Sequence, residues 1–188
     1  HWGEGWDIKS LMEEKGIGNM DVLTTYVCNS CSKNYISPFK GQQTDCPSCG
    51  SKKSVNTTNT KKGVSEEQLN EIYNLMDVYC HPFTSGGQEI PIQEAKLTEL
   101  VTLVTNYSCG EDSCSDESGG FALDWSEYRE PGTQFIKAST DPNHIHSMLE
   151  HVYGMTNEEK SEMGAKSRKW VIDNFSVEVI GKKLESII

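Results

Sequence analysis

The sequence predicts an α/β protein in which a parallel sheet covered by helices is interrupted by a small module of different character. Three observations carry this reading. Short β-branched runs, Val78–His81 and Val101–Thr105, alternate with segments of helical periodicity. Residues 28–62 are polar, rich in Lys, Asn, Ser and Thr, and break that alternation. The same stretch holds four of the seven cysteines, arranged as two C-x-x-C pairs.

The elements follow in order. Asp7–Glu14 reads as a short helix with Ile8, Leu11 and Met12 on one face, ended by Gly16 and Gly18. Asp21–Val27 reads as a strand, expected to belong to the parallel sheet. After the interruption, Ser65 and Gln68 frame a capping box, and Leu69, Ile72, Tyr73 and Met76 follow at helical spacing. Val78–His81 is a short apolar strand stopped by Pro82. The Gly-rich turn Thr84–Gln88 leads into a helix near Ile90–Leu100, and Val101–Thr105 is the next strand.

Residues 108–120 are acidic and rich in Gly and Ser, which predicts a mobile loop, and Gln134–Ile136 reads as a further short strand. Asp141 and Pro142 open a helix as N-cap and first helical residue, with Ile145, Met148, Leu149 and Val152 as its buried stripe and Gly154 at its end. Thr156 and Glu159 frame a second capping box. The helix it opens includes Met163, Trp170 and Val171 and breaks at Asn174–Ser176, and a last helix starts near Val177. Residues 1–27 and 63–188 thus form one α/β domain into which residues 28–62 are inserted.

The chain has 188 residues, 35% of them hydrophobic, as expected of a soluble globular protein. It holds no run of about 18 apolar residues, so no membrane span is expected. His1–Gly5 lacks a basic region followed by an apolar one, and a cytoplasmic location is the default expectation. The net charge of -11 argues against broad binding of nucleic acid or anionic membrane. That charge is uneven: Cys28–Lys62 carries six lysines and one acid, +5, and the remainder carries -16. Four thiolates and one zinc ion lower the insert to about +3.

Cys28, Cys31, Cys46 and Cys49 form the two pairs, separated by 14 residues. Each pair puts two thiolates on one side of a tight knuckle, and two knuckles give the tetrahedral sulfur set that zinc prefers. Gly50 suits the turn after the second pair. Redox chemistry and unligated burial are the rival readings. A four-sulfur site is closed, so the zinc expected here is structural and does no chemistry. Cys80 sits in an apolar strand, and Cys109 and Cys114 sit in the acidic segment where a reactive thiolate is not expected.

A second constellation lies at 81–94. A strand ending at His81, a Gly-rich turn, and a helix bearing Glu94 together offer a ligand close approach to the backbone. The helix start offers free N–H groups for a diphosphate, and the acid one turn in can accept from ribose hydroxyls. The bland alternative is a plain structural turn and a solvated glutamate. His81 itself suits a donor contact or a structural strand end equally well, and His144, His146 and His151 read as a solvated helix.

Gly63–Leu69, Ile72–Tyr73, Met76–Val78, Pro82 and Glu94–Ala95 resemble the corresponding C-terminal segments of the family-four retaining glycosyltransferases. Asp141 to the end, including Asn174–Ser176, is similar to that family's closing helices. The resemblance implies a Rossmann-like domain of a B-type fold holding a nucleotide diphosphate sugar, UDP- or GDP-linked. The implied reaction passes the sugar to an acceptor with retention and without an obligatory divalent metal. Carried onto this sequence, Glu94 matches the glutamate that holds the ribose. Gly86, Gly87, Gln88 and Glu89 fall on the loop facing the donor sugar and phosphates.

The departures matter. The family's first motif glutamate is Gly86 here, and Glu89, three positions on, is the acid expected to contact the donor sugar in its place. Glu99–Val101 stands where the family has a small Gly-x-Pro. His1–Gly5 matches the turn after the second strand of the family's domain. Two strands, the Arg/Lys pair that neutralises the pyrophosphate, and the acceptor domain are therefore expected to come from a missing N-terminal part or a partner chain. The rival functions are a degenerate transferase domain whose ribbon docks protein or nucleic acid, and a structural α/β domain without a ligand.

Overall fold

A computed structural model describes residues 7–58 and 63–187. His1–Gly5, Lys61 and Lys62 lie outside the described residues. The chain is mixed α/β and divides into two compact units between Leu69 and Asn70.

The first unit opens with α1 (Ile8–Lys15), capped by the Asp7 carboxylate, which accepts from the Lys9 and Ser10 N–H groups, and stopped by Gly16. Next come β1 (Leu23–Cys28), β2 (Asn34–Pro38) and β3 (Val55–Thr57). They form one antiparallel sheet in the order β2-β1-β3, with Tyr26 opposite Tyr35 on one side and Thr57 on the other. This corrects the expectation for 21–27. That strand does not pair in the parallel sheet; it is the centre of the cysteine module's own sheet. The physical reason lies in its end: β1 runs one residue further, to Cys28, and so delivers the first metal-ligand candidate directly. Tyr26, Cys28, Cys46 and Val55 are the buried core of this unit, with Cys31 and Tyr35 packed against it.

Helix α2 (Glu66–Tyr73) follows. Its start is the expected reciprocal cap: Gln68 N donates to Ser65 Oγ, and Ser65 N donates to Gln68 Oε1.

The second unit contains β4 (Val78–His81), α3 (Ile90–Leu97), β5 (Val101–Thr105), the single turn α4 (Gly110–Ser113) and β6 (Gly120–Leu123). The three strands are parallel in the order β4-β5-β6, with Cys80 beside Leu103 and Leu103 beside Phe121. All five residues of β5 are buried, as expected of a strand covered on both faces. Leu103, Val101 and Leu123 pack against Val152 on one side, while Val104 packs with Ile92 and Cys114 on the other.

A hairpin of β7 (Trp125–Arg129) and β8 (Ile136–Thr140) comes next. Helices α5 (Pro142–Gly154), α6 (Asn157–Phe175) and α7 (Val177–Glu185) close the chain. Asp141 caps α5, and Thr156 with Glu159 forms the expected capping box of α6. Leu149, expected in the buried stripe of α5, is exposed, whereas Val152 is buried. No described helix is long and apolar enough to cross a membrane.

The segment 108–120 is not the free loop its composition suggests. Gly110, Ser113, Cys114 and Ser118 are buried, and β6 starts within it. Lys96 holds it in place: this fully buried side chain donates from Nζ to Ser118 O at 2.7 Å and lies 5.4 Å from the Trp170 ring. Ser167 Oγ of α6 donates to Gly119 O at 2.8 Å from the other side.

Candidate metal centre and carboxylate cluster

Cys28, Cys31, Cys46 and Cys49 come together, with all four Sγ atoms within 4.8 Å of one another. Two local frames of the same pattern do this. Cys28 N donates to Lys33 O and Ser32 N to Cys28 O; Cys46 N donates to Ser51 O and Gly50 N to Cys46 O. Each frame needs a left-handed residue at the fourth position after its first cysteine, met by Ser32 (φ 58°) and by Gly50 (φ 73°). Sγ–Sγ separations of 3.8 Å (Cys28–Cys49) and 3.7 Å (Cys31–Cys46) match the edge of a tetrahedron, about 3.8 Å for a zinc–sulfur bond of about 2.3 Å. All four are free thiols, not disulfides. The group can hold a metal ion.

Three hydroxyls surround the sulfurs. Ser54 Oγ is 3.4 Å from Cys28 Sγ, Tyr35 Oη 3.0 Å from Cys46 Sγ, and Ser51 Oγ 3.2 Å from Cys49 Sγ. The Ser54 hydroxyl is the main reason the Cys28 thiol falls to about 5. For Cys46, burial opposes the thiolate and the Tyr35 hydroxyl favours it, with a net downward shift. Ser51 is two residues from Cys49, whereas Tyr35 and Ser54 were not legible in the sequence: pairing of β2 and β3 with β1 carries Tyr35, and Val55 next to Ser54, alongside it.

In the second unit, the loops leaving β4 and β5 meet at the carboxyl ends of their strands. Phe83 N donates to Thr105 Oγ1 at 3.1 Å, and Ser108 Oγ donates to Gly86 O at 2.6 Å. Thr105 Oγ1 also lies 2.7 Å from Thr140 Oγ1, which ties in β8. Glu89 is the N-cap residue of α3 but caps nothing with its side chain. Instead its carboxylate folds back across Gly86, where any Cβ would overlap Glu89 Oε1. The other oxygen, Oε2, is 3.3 Å from His81 Nε2.

His81 is set by its own strand. Tyr79, two residues earlier and so on the same face, stacks on the imidazole at 5.5 Å and places its hydroxyl 3.1 Å from Nδ1. Phe83 closes the other side at 5.3 Å. Glu94 sits one turn into α3 and accepts from the Tyr73 hydroxyl at 3.0 Å through Oε2. Burial first, and then the charges of Glu89 and Glu94, push the Tyr79 hydroxyl up to about 12. Burial and then Glu94 raise Tyr73 as well.

His81, Gly86 and Glu89 are thus brought together, and Glu94 on α3 meets Tyr73 at the end of α2. Gly87 and Gln88 complete the turn. The aromatic shell of Tyr73, Tyr79 and Phe83 was missed; the i, i+2 spacing of Tyr79, His81 and Phe83 is the signal that could have found it. His144, expected to be solvated, accepts from Asp124 N at 2.8 Å through Nδ1, and His151 lies edge-on to Phe121 at 5.3 Å. The chain matches no family model, no curated protein and no solved structure.

Proposed function

We propose that this chain is the nucleotide-sugar-binding part of a retaining glycosyltransferase, with a Rossmann-like domain and a separate four-cysteine ribbon that holds structural zinc. The observation that carries the reading is the carboxylate arrangement at the end of β4. Glu89 lies over the Gly86 turn and Glu94 one turn further along α3, where ligands of parallel sheets bind. Both are acceptors for hydroxyl groups, the commonest polar group of a nucleoside sugar. In this reading Glu94 holds the ribose and Glu89 meets the donor sugar, while the sugar passes to an acceptor not identified by the sequence. The four thiolates take the zinc; the ion fixes the two knuckles and takes no part in transfer.

No Lys or Arg occurs between Lys62 and Lys96, and Lys96 faces Ser118. This segment therefore offers a diphosphate no cationic side chain. NMR titration of the full chain with UDP-glucose, GDP-mannose, UDP and GDP tests the reading. Binding of a sugar nucleotide is expected, weakened about tenfold or more by Glu94→Ala, the scale of a hydrogen bond to a charged group. Tyr73 keeps Pro91 O within 3.4 Å in that variant, so the fold survives. Absence of binding by all four compounds sinks the reading.

A second reading has a specific observation behind it. Lys33, Lys40, Lys52 and Lys53 are exposed on a module of charge +5, which suits docking of a polyanion. Retention of an oligonucleotide at physiological salt by the full chain, lost on Lys33→Glu and Lys40→Glu, favours that reading.

A further inference from the structure

The geometry points to His81 as the positioning residue of Glu89, an imidazole that fixes which carboxylate oxygen meets the hydroxyls of a sugar ligand and so sets selectivity at that position. The inference rests on the nucleotide-sugar reading. Glu89 has no helix-capping bond to hold it, although it stands at the N-cap position. Two features hold it instead. Gly86 leaves room for Oε1 to lie against the turn, and Ser108 Oγ clamps that turn through Gly86 O at 2.6 Å. His81 Nε2 stands 3.3 Å from Oε2.

The tautomer follows from the neighbours. The Tyr79 hydroxyl reaches Nδ1 at 3.1 Å, and donating there leaves Nε2 as the N–H that faces Glu89. Nε2 is buried and its contact with Oε2 is off the line of a hydrogen bond, so this donor has no well-formed partner among the described residues. With Nε2 buried 3.3 Å from Oε2, the imidazole keeps that oxygen on its own side, so a ligand hydroxyl meets the carboxylate from the face away from His81. A carboxylate held in one orientation rewards a ligand hydroxyl placed to donate to it and penalises one placed elsewhere. Tyr79 and Phe83 hold the ring on both sides, so the pair is preorganised.

Two measurements on the full chain test this. Imidazole NMR of His81 at neutral pH is expected to show the Nε2–H tautomer, with its Nε2 resonance moved by Glu89→Gln. An Nδ1–H tautomer, or no response to Glu89→Gln, overturns the proposal whatever the ligand. Titration with UDP-glucose and GDP-mannose then compares His81→Leu with His81→Gln, which retains an N–H donor. Loss of about tenfold in sugar-nucleotide affinity in His81→Leu is expected, with His81→Gln within about threefold of wild type and UDP and GDP affinities unchanged. Equal loss for the free diphosphates means a merely structural role and overturns the proposal. If no sugar nucleotide binds wild type while the imidazole result holds, the transferase reading fails and the His81–Glu89 pair stands.

Discussion

Lys96→Met isolates the energetic cost of a lysine placed where water cannot reach it. Lys96 is the largest fully buried side chain among the described residues. Burial drives its pKa from 10.5 down to about 8, opposed by the nearby Cys114. With the folded pKa below the unfolded one, the unfolded chain binds more protons between those two values. Stability therefore rises with pH across that window, and the penalty for burying the charge is full below the lower value. From about pH 7 to about pH 10 the lysine contributes a rise of about 2–3 kcal/mol.

Cys114, raised to about 11 by burial, and Tyr79, raised to about 12, act in the opposite sense as pH climbs. Only the difference between wild type and Lys96→Met removes them. The variant stays folded because Ser118 O remains within 3.1 Å of Ser167 Oγ, and methionine fills the volume. Urea unfolding followed by the helical circular dichroism signal, at both pH values, reads the difference. Wild type is expected to gain about 2–3 kcal/mol on the variant between them. A difference that stays constant within about 0.5 kcal/mol refutes the account of Lys96 as a desolvated ammonium.

The metal centre gives two further predictions. Purified protein is expected to contain about one zinc per chain, and Cys49→Ser to fall below about half of that, with loss of the β1–β3 amide signals and retention of those of β4–β6; a full equivalent in the variant counts against four-sulfur ligation. Tyr35→Phe removes the hydroxyl 3.0 Å from Cys46 Sγ and is expected to speed zinc transfer to a chelator about tenfold or more, as loss of an outer partner does in other metal sites; an unchanged rate removes Tyr35 from the centre.

Local chemistry was legible and long-range assembly was not. Both capping boxes, the Asp141 cap and the bounds of β4 and β5 follow from residues within a few positions of one another. The two knuckles followed from spacing for the same reason. β6 was hidden because its four residues follow a run of Gly and Ser that reads as loop. What orders that run is Lys96, 22 residues earlier in the chain from Ser118, and no local pattern announces such a contact. The strand 21–27 had the right type and the wrong partners: its β-branched pattern suits either sheet, and only the cysteine at its end tied it to β2 and β3. At the candidate site, Glu89 was legible as an acid near the turn, whereas its return across Gly86 needed coordinates.

The charge around that turn leads to a last prediction. A helix start attracts a diphosphate through free N–H groups, yet Pro91 has none and Ile92 N already donates to Glu89 O at 3.1 Å. Glu89 and Glu94 are anionic acceptors, no Lys or Arg lies between Lys62 and Lys96, and the whole chain carries -11. A sugar nucleotide therefore meets net repulsion here, and its attraction comes from hydroxyls. Salt screens repulsion between exposed charges over about 10 Å at 0.1 M. Raising ionic strength from about 0.01 M to about 0.5 M should then strengthen UDP-glucose binding by the full chain, the reverse of a site built on phosphate-binding cations. Affinity that falls steeply with salt in the same titration shows that cations hold the diphosphate, and the hydroxyl-led account of Glu89 and Glu94 goes with it.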